Sequence, residues 1–143
     1  MSKFLTLDIV SAEETIFSGQ VSLLVATGTM GELGIMPGHS PLLTTLKPGK
    51  IRFKNIAGEE SLFYISGGLL EVQPTVVTIM ADTVIRAEDL DDAAAAEAQQ
   101  KAKDTLANID KTSTLTSKEA LLIEIEEATA MRRVIQELQK LRQ

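Results

Sequence analysis

Leu5, Leu7 and Ile9 alternate with Thr6 and Asp8, the period of a strand with one buried face. The alternation returns at Ile51-Arg52-Phe53-Lys54. Short apolar stretches at Leu42–Leu46, Leu62–Ile65, Leu69–Val72 and Val76–Ala81 are divided by turn residues: Pro48–Gly49, the Asn55–Glu60 segment with Gly58, Gly67–Gly68, and Pro74. Ile16–Phe17 and Val21–Val25 flank Gly19 and are expected to pair as a hairpin. Short strands at this spacing predict a β-sandwich with meander or Greek-key connections.

The period changes near Ile85–Asp89. Leu90, Ala94, Ala98, Ala102, Leu106 and Ile109 then recur every four residues and finally after three, which places them on one helical face. Asp89 is the expected N-cap, with Asp91 and Asp92 in the positively polarised first turn. Polar residues from Asp110 to Ser117 interrupt the pattern, and Thr116 with Glu119 matches a reciprocal capping box for a second helix. Its apolar face is Leu121, Ile125, Ala128, Met131, Ile135 and Leu138, widened by Val134 and Leu141. The predicted fold class is mainly β within α+β. A β-sandwich occupies residues 1–85, and an antiparallel two-helix hairpin occupies 86–143 with its tip near Asp110–Ser117. Alanine buries little area, so at ~25 cal/mol per Å² the first helix holds its partner weakly.

Composition sharpens this division. All nine Gly and all four Pro lie between Gly19 and Pro74, and the aromatic residues Phe4, Phe17, Phe53, Phe63 and Tyr64 are confined to the first half. Breakers and sheet-forming aromatics thus share one segment, and the rest is free to be helical. No apolar run approaches the ~18 residues of a membrane span, and no secretory leader is evident. With no Cys there is no disulfide framework or thiolate nucleophile, which fits an intracellular setting.

Charge is unevenly spread. Residues 1–85 carry 5 Lys/Arg and 8 Asp/Glu, residues 86–130 carry 5 and 11, and residues 131–143 carry 4 (Arg132, Arg133, Lys140, Arg142) against Glu137 alone. An overall charge of −6 without a basic, aromatic-interleaved stripe argues against nucleic acid as a partner. The basic end either complements a helix C-terminus or offers a handle to an acidic partner surface.

Chemistry is sparse. His39 is the sole histidine and is expected to be an exposed loop residue; it cannot make a zinc or cupin-type site without further ligands. Gly28-Thr29-Met30-Gly31-Glu32-Leu33-Gly34 is glycine-rich but is neither a dinucleotide fingerprint nor a P-loop. Glu13 and Glu14 alternate faces if extended, a poor acid–base pair. No catalytic residue, metal site or cofactor is expected, and the chain is read as a non-enzyme.

One block is too particular for an anonymous loop: Gly31-Glu32-Leu33-Gly34-Ile35-Met36-Pro37-Gly38-His39-Ser40-Pro41-Leu42-Leu43. It closely resembles the epsilon subunit of bacterial F-type ATP synthases. Leu7–Glu13, Lys47-Pro48-Gly49, Ser66–Pro74 and Ala81-Asp82-Thr83 match in the same order, so the likeness covers residues 4–92 and continues more loosely through the helices. The resemblance implies a noncatalytic central-stalk subunit of a proton-translocating enzyme, peripheral on the cytoplasmic face of the bacterial inner membrane. It implies as partners the gamma subunit, the c-ring and the alpha and beta subunits. By resemblance the turn Glu32–His39 faces the ring, with Glu32 and His39 as contacts, and Arg132, Arg133, Lys140 and Arg142 meet the catalytic head when the helices extend and block ATP hydrolysis. Members that sense ATP carry Ile/Leu-Asp-x-x-Arg-Ala. Here Leu90, Asp91 and Ala95 match, but Ala94 stands in place of the arginine fork, so weak or no ATP binding is expected. An ATP-sensing module and a free-standing binding sandwich with a dimerising tail are the alternatives, and the low aromatic content tells against the latter.

Overall fold

The computed structural model describes residues 3–108 and 115–141. Eight strands come first: β1 (Leu5–Val10), β2 (Thr15–Gly28), β3 (Gly31–Ile35), β4 (Leu42–Asn55), β5 (Glu60–Ile65), β6 (Gly68–Val72), β7 (Val76–Ala81) and β8 (Val84–Arg86). A single 3-10 turn at Ala87–Asp89 leads to α1 (Asp92–Ala107) and α2 (Leu115–Leu141).

The sandwich follows from two long strands that each serve both layers. The first half of β2 pairs with β1, while its second half lies between β3 and the second half of β4. The first half of β4 pairs with β6, and its second half pairs with β5. One layer is therefore β3-β2-β4-β5-β8 and the other β2-β1-β7-β6-β4, with β1 and β7 parallel. Alternate side chains point between the layers, and Leu7, Ile9, Leu24, Ile51, Phe63, Leu70 and Ile79 are wholly enclosed there. Every member of that core lies at or before Ala81, so the sandwich completes its own interior without the helices.

Two expected turns are absent. Gly19 is not a hairpin tip but an interior position of β2, opposite Leu7 and against the Phe17 ring. Pro48–Gly49 does not end a strand; β4 runs through it while changing sheet partners from β6 to β5. A proline lacks a ladder donor, which suits the corner where a strand leaves one sheet for the other. Two glycines do have steric duties. Gly31, at φ +122, closes the β2–β3 hairpin, and a Cβ on Gly68 would run into the Met80 carbonyl oxygen.

The helices also differ in detail from expectation. Asp91, not Asp89, caps α1: its Oδ1 accepts from the Ala93 and Ala94 amides at 3.0 and 3.2 Å, while Asp89 closes the preceding 3-10 turn. Ala94 and Ala98 are exposed, and α1 turns Ala95, Gln99, Ala102 and Leu106 towards α2. Strict four-residue spacing drifts about 40° per step around a 3.6-residue helix, whereas 4-3-4 spacing stays on one face. Helix α2 begins at Leu115, so Thr116 lies inside it rather than at its cap; residues 109–114 of the expected tip, with Ile109 and Asp110, are outside the described residues.

Candidate functional site

The outer faces of the two layers differ. On the first, β4 presents Lys50 and Arg52, and β5 presents Leu62 and Tyr64, in register as Lys50↔Tyr64 and Arg52↔Leu62. Helix α2 lies across them. Ala130 and Val134 enter a small cluster with Leu62, Tyr64 and Ala87, flanked by Ile85, Leu90, Met131 and Leu138. Full burial of a valine side chain is worth about 1.5–3 kcal/mol, and the alanines add little. Against that stands Tyr64, fully enclosed, whose hydroxyl has no partner among the described residues. Burial raises its pKa, and the charges of Glu127 and Glu126 raise it further. Burial also raises Glu127, with Glu124 and Glu126 adding to the effect. The contact carries an uncompensated polar group, which lowers the net hold on α2.

An ion cluster completes it. The Lys50 ammonium lies 2.7 Å from Glu137 of α2 and 2.7 Å from Glu32 of β3, and Arg52 lies 3.6 Å from Glu137. Burial on its own would lower the Lys50 pKa; hydrogen bonds to Glu137 and Glu32, with their charge, more than offset this and leave it raised. The hydrogen bond from Lys50, and its charge, hold the Glu32 carboxyl below the usual range. Glu32 therefore sits on edge strand β3 rather than in a free turn. His39 lies apart from this cluster, in the loop after β3, where the Gly38 amide bonds to the Pro74 carbonyl. It is only partly exposed, against expectation, with Nδ1 2.7 Å from the Ser40 carbonyl oxygen.

The helices clasp each other through polar groups. Gln99 donates to Thr129 at 2.7 Å and accepts from Arg132 at 3.0 Å, and Arg132 reaches Asp92 at 3.2 Å. The Arg132–Asp92 pair is exposed and contributes little, while the two bonds of Gln99 are part-buried. Arg133 and Lys140 are exposed, and Arg142 is outside the described residues. In the degenerate nucleotide motif the Asp91 carboxylate is taken up by capping, Leu90 and Ala95 pack inward, and Ala94 offers only a methyl group to solvent. Calorimetry is expected to detect no tight ATP complex with this chain; tight binding would contradict the assignment of these residues to packing and capping.

The second layer's outer face is uncovered. Leu43, Met80 and Val76 are 65%, 40% and 39% exposed, on neighbouring strands β4 and β7 with β6 between them. A shallow cavity of about 530 Å³ opens at its edge, lined by Val10, Ser66, Leu69, Met80 and Asp82 among others. Glu71 of β6 and Thr78 of β7 share the row of Leu43, so the open face is mixed, with apolar side chains exposed among polar ones.

Comparison with known proteins decides the family. A family model for the ATP synthase delta/epsilon chain β-sandwich domain matches residues 4–87. The ATP synthase epsilon chain of Nitrosococcus oceani is 49% identical over 140 residues, covering 98% of both chains. That of Chromohalobacter salexigens is 52% identical over 133 residues, covering 93% of this chain and 92% of its own. The chain belongs to the ATP synthase epsilon-chain family. Epsilon chains are non-catalytic subunits, in keeping with a structure built around contact faces. The fold is shared more widely. A chain of the Euglena gracilis mitochondrial ATP synthase F1/c-ring assembly superposes with a TM-score of 0.84 at 20% identity, over 94% of this chain and 83% of that one. A chain of the Tetrahymena thermophila mitochondrial ATP synthase central stalk and c-ring gives 0.63 at 17%, over 94% and 97%.

Lys50, Tyr64, Gln99, Thr129 and Glu137 were not singled out from the sequence. The available signals were slight: the alternation in Ile51–Lys54 puts Arg52 outside, and Glu137 is the lone acid of a basic end.

Proposed function

We propose that this chain is a rotor subunit that joins gamma to the c-ring and whose C-terminal helices restrain ATP hydrolysis when they leave the sandwich. The observation that carries the reading is the separation of faces. The sandwich turns one open sheet face outward, with Leu43, Val76 and Met80 exposed on it, while its opposite face holds α2. Residues 1–85 are the platform and residues 86–143 the moving part. Gamma docks on the Leu43–Met80 face, and the β2–β3 hairpin end, with Glu32 and His39, meets the ring. In the extended state Arg133 and Lys140 approach the alpha and beta subunits, joined by Arg132 once it gives up Asp92 and Gln99, and by Arg142. A two-state element with a small free-energy gap is what such a switch requires. No described helix is long and apolar enough to cross a membrane, and the proposed location is peripheral, on the cytoplasmic face of the inner membrane.

Leu43→Asp tests the docking face. A charge in place of the most exposed apolar side chain of this face is expected to weaken co-purification with gamma at least ~10-fold. Folding should persist, because Leu43 lies outside the core. Undiminished recovery of gamma would contradict the assignment.

A further inference from the structure

We propose that Lys50 couples the engagement of Glu32 to the docking of α2, so that a partner cation bound at Glu32 tightens the helices onto the sandwich. The proposal rests on the reading that Glu32 faces a partner, but its core is internal to the chain.

The geometry is one ammonium shared by two carboxylates. Glu32 and Glu137 each lie 2.7 Å from Lys50 Nζ, and they come from β3 and from α2. The Lys50 side chain is 18% exposed and that of Glu137 22%, so their attraction is only partly screened; Glu32 is 61% exposed and available from outside. When α2 docks, Glu137 approaches a site in which Glu32 already neutralises Lys50. Glu32 therefore competes for the ammonium and repels the incoming carboxylate. A cation that draws Glu32 outward removes both effects and leaves Lys50, with Arg52, to Glu137. Linkage makes the effect reciprocal: docked helices draw Lys50 towards Glu137 and release Glu32 for an outside partner.

The chain has no cysteine, so one introduced at Val134→Cys, on the face of α2 buried against the sandwich, reports docking through its rate of thiol labelling. In that background Glu137→Gln is expected to speed labelling. Glu32→Gln is expected to slow it ~3- to 10-fold, a modest coupling suited to a partly exposed pair. Combined with Glu137→Gln or with Lys50→Met, Glu32→Gln should have no effect. The same labelling measured at Val77→Cys, in the sandwich core, should be unmoved by Glu32→Gln. Faster or unchanged labelling in Glu32→Gln alone, or an equal slowing in the Glu137→Gln background, overturns the proposal. These outcomes concern the isolated chain, so they leave the ring contact to its own test, cross-linking from position 32 in the assembled enzyme.

Discussion

Removal of residues 131–143 is expected to raise ATP hydrolysis by the assembled enzyme several-fold while the complex still forms. The cut removes Val134, Glu137 and Leu138, the part of α2 that lies over Leu62, Tyr64, Lys50 and Arg52. It also removes Arg132, Arg133, Lys140 and Arg142, the cations assigned to the catalytic head. Nothing in the sandwich core is lost, because that core is complete by Ala81, with Val84 packed against it. The Leu43–Met80 face is on the other layer and is untouched, so the truncated chain should still recover gamma. What remains is a platform without its restraint. Hydrolysis equal to that of the full-length enzyme, with the truncated chain present at full occupancy, would contradict an inhibitory role for the helices.

Tyr64→Phe is expected to relieve inhibition by a different route, by fastening α2 down. In the docked state the Tyr64 hydroxyl is buried without a partner, whereas in the released state water satisfies it. A buried unpaired hydroxyl costs about 1–3 kcal/mol, and deleting it spares that cost only where the helix is docked. At 1.4 kcal/mol per tenfold, the docked-to-released ratio rises ~5- to 150-fold. Labelling at Val134→Cys should slow accordingly, and hydrolysis by the assembled enzyme should lose its inhibition. Faster labelling in Tyr64→Phe would mean that the hydroxyl supports docking instead of opposing it. A group that weakens the contact it lies beneath accords with a helix required to leave.

The sequence displayed the sandwich more clearly than the surface that α2 uses. Alternation in β1 and in the second half of β4 was visible because a strand with one enclosed face has period two. Gly19 and Pro48–Gly49 misled because glycine and proline signal turns in general. Here the same residues let β2 and β4 continue past a close ring and around a corner between sheets. Of the expected stripe Ala102 and Leu106 face α2, while its start falls one position off, because Ala93–Ala96 are four identical residues and only the packing of α2 selects Ala95 among them. The Glu32–Lys50–Glu137 cluster had no periodic trace at all. Lys50 and Glu137 are 87 residues apart, and a pairing across that distance depends on where α2 comes to rest. The family motif around Gly31–Leu43 was legible, yet it marked a strand and a loop with separate surroundings for Glu32 and His39 instead of one shared turn.

The central claim is that α2 leaves the sandwich by itself while the sandwich stays folded. Native-state thiol labelling of two single-cysteine variants, Val134→Cys on the buried face of α2 and Val77→Cys in the core, tests it most directly. The account predicts labelling at position 134 orders of magnitude faster than at position 77, and independent of denaturant at low concentration. Equal rates at the two positions, rising together with denaturant, would mean that the helix opens only when the whole chain unfolds, and would contradict it.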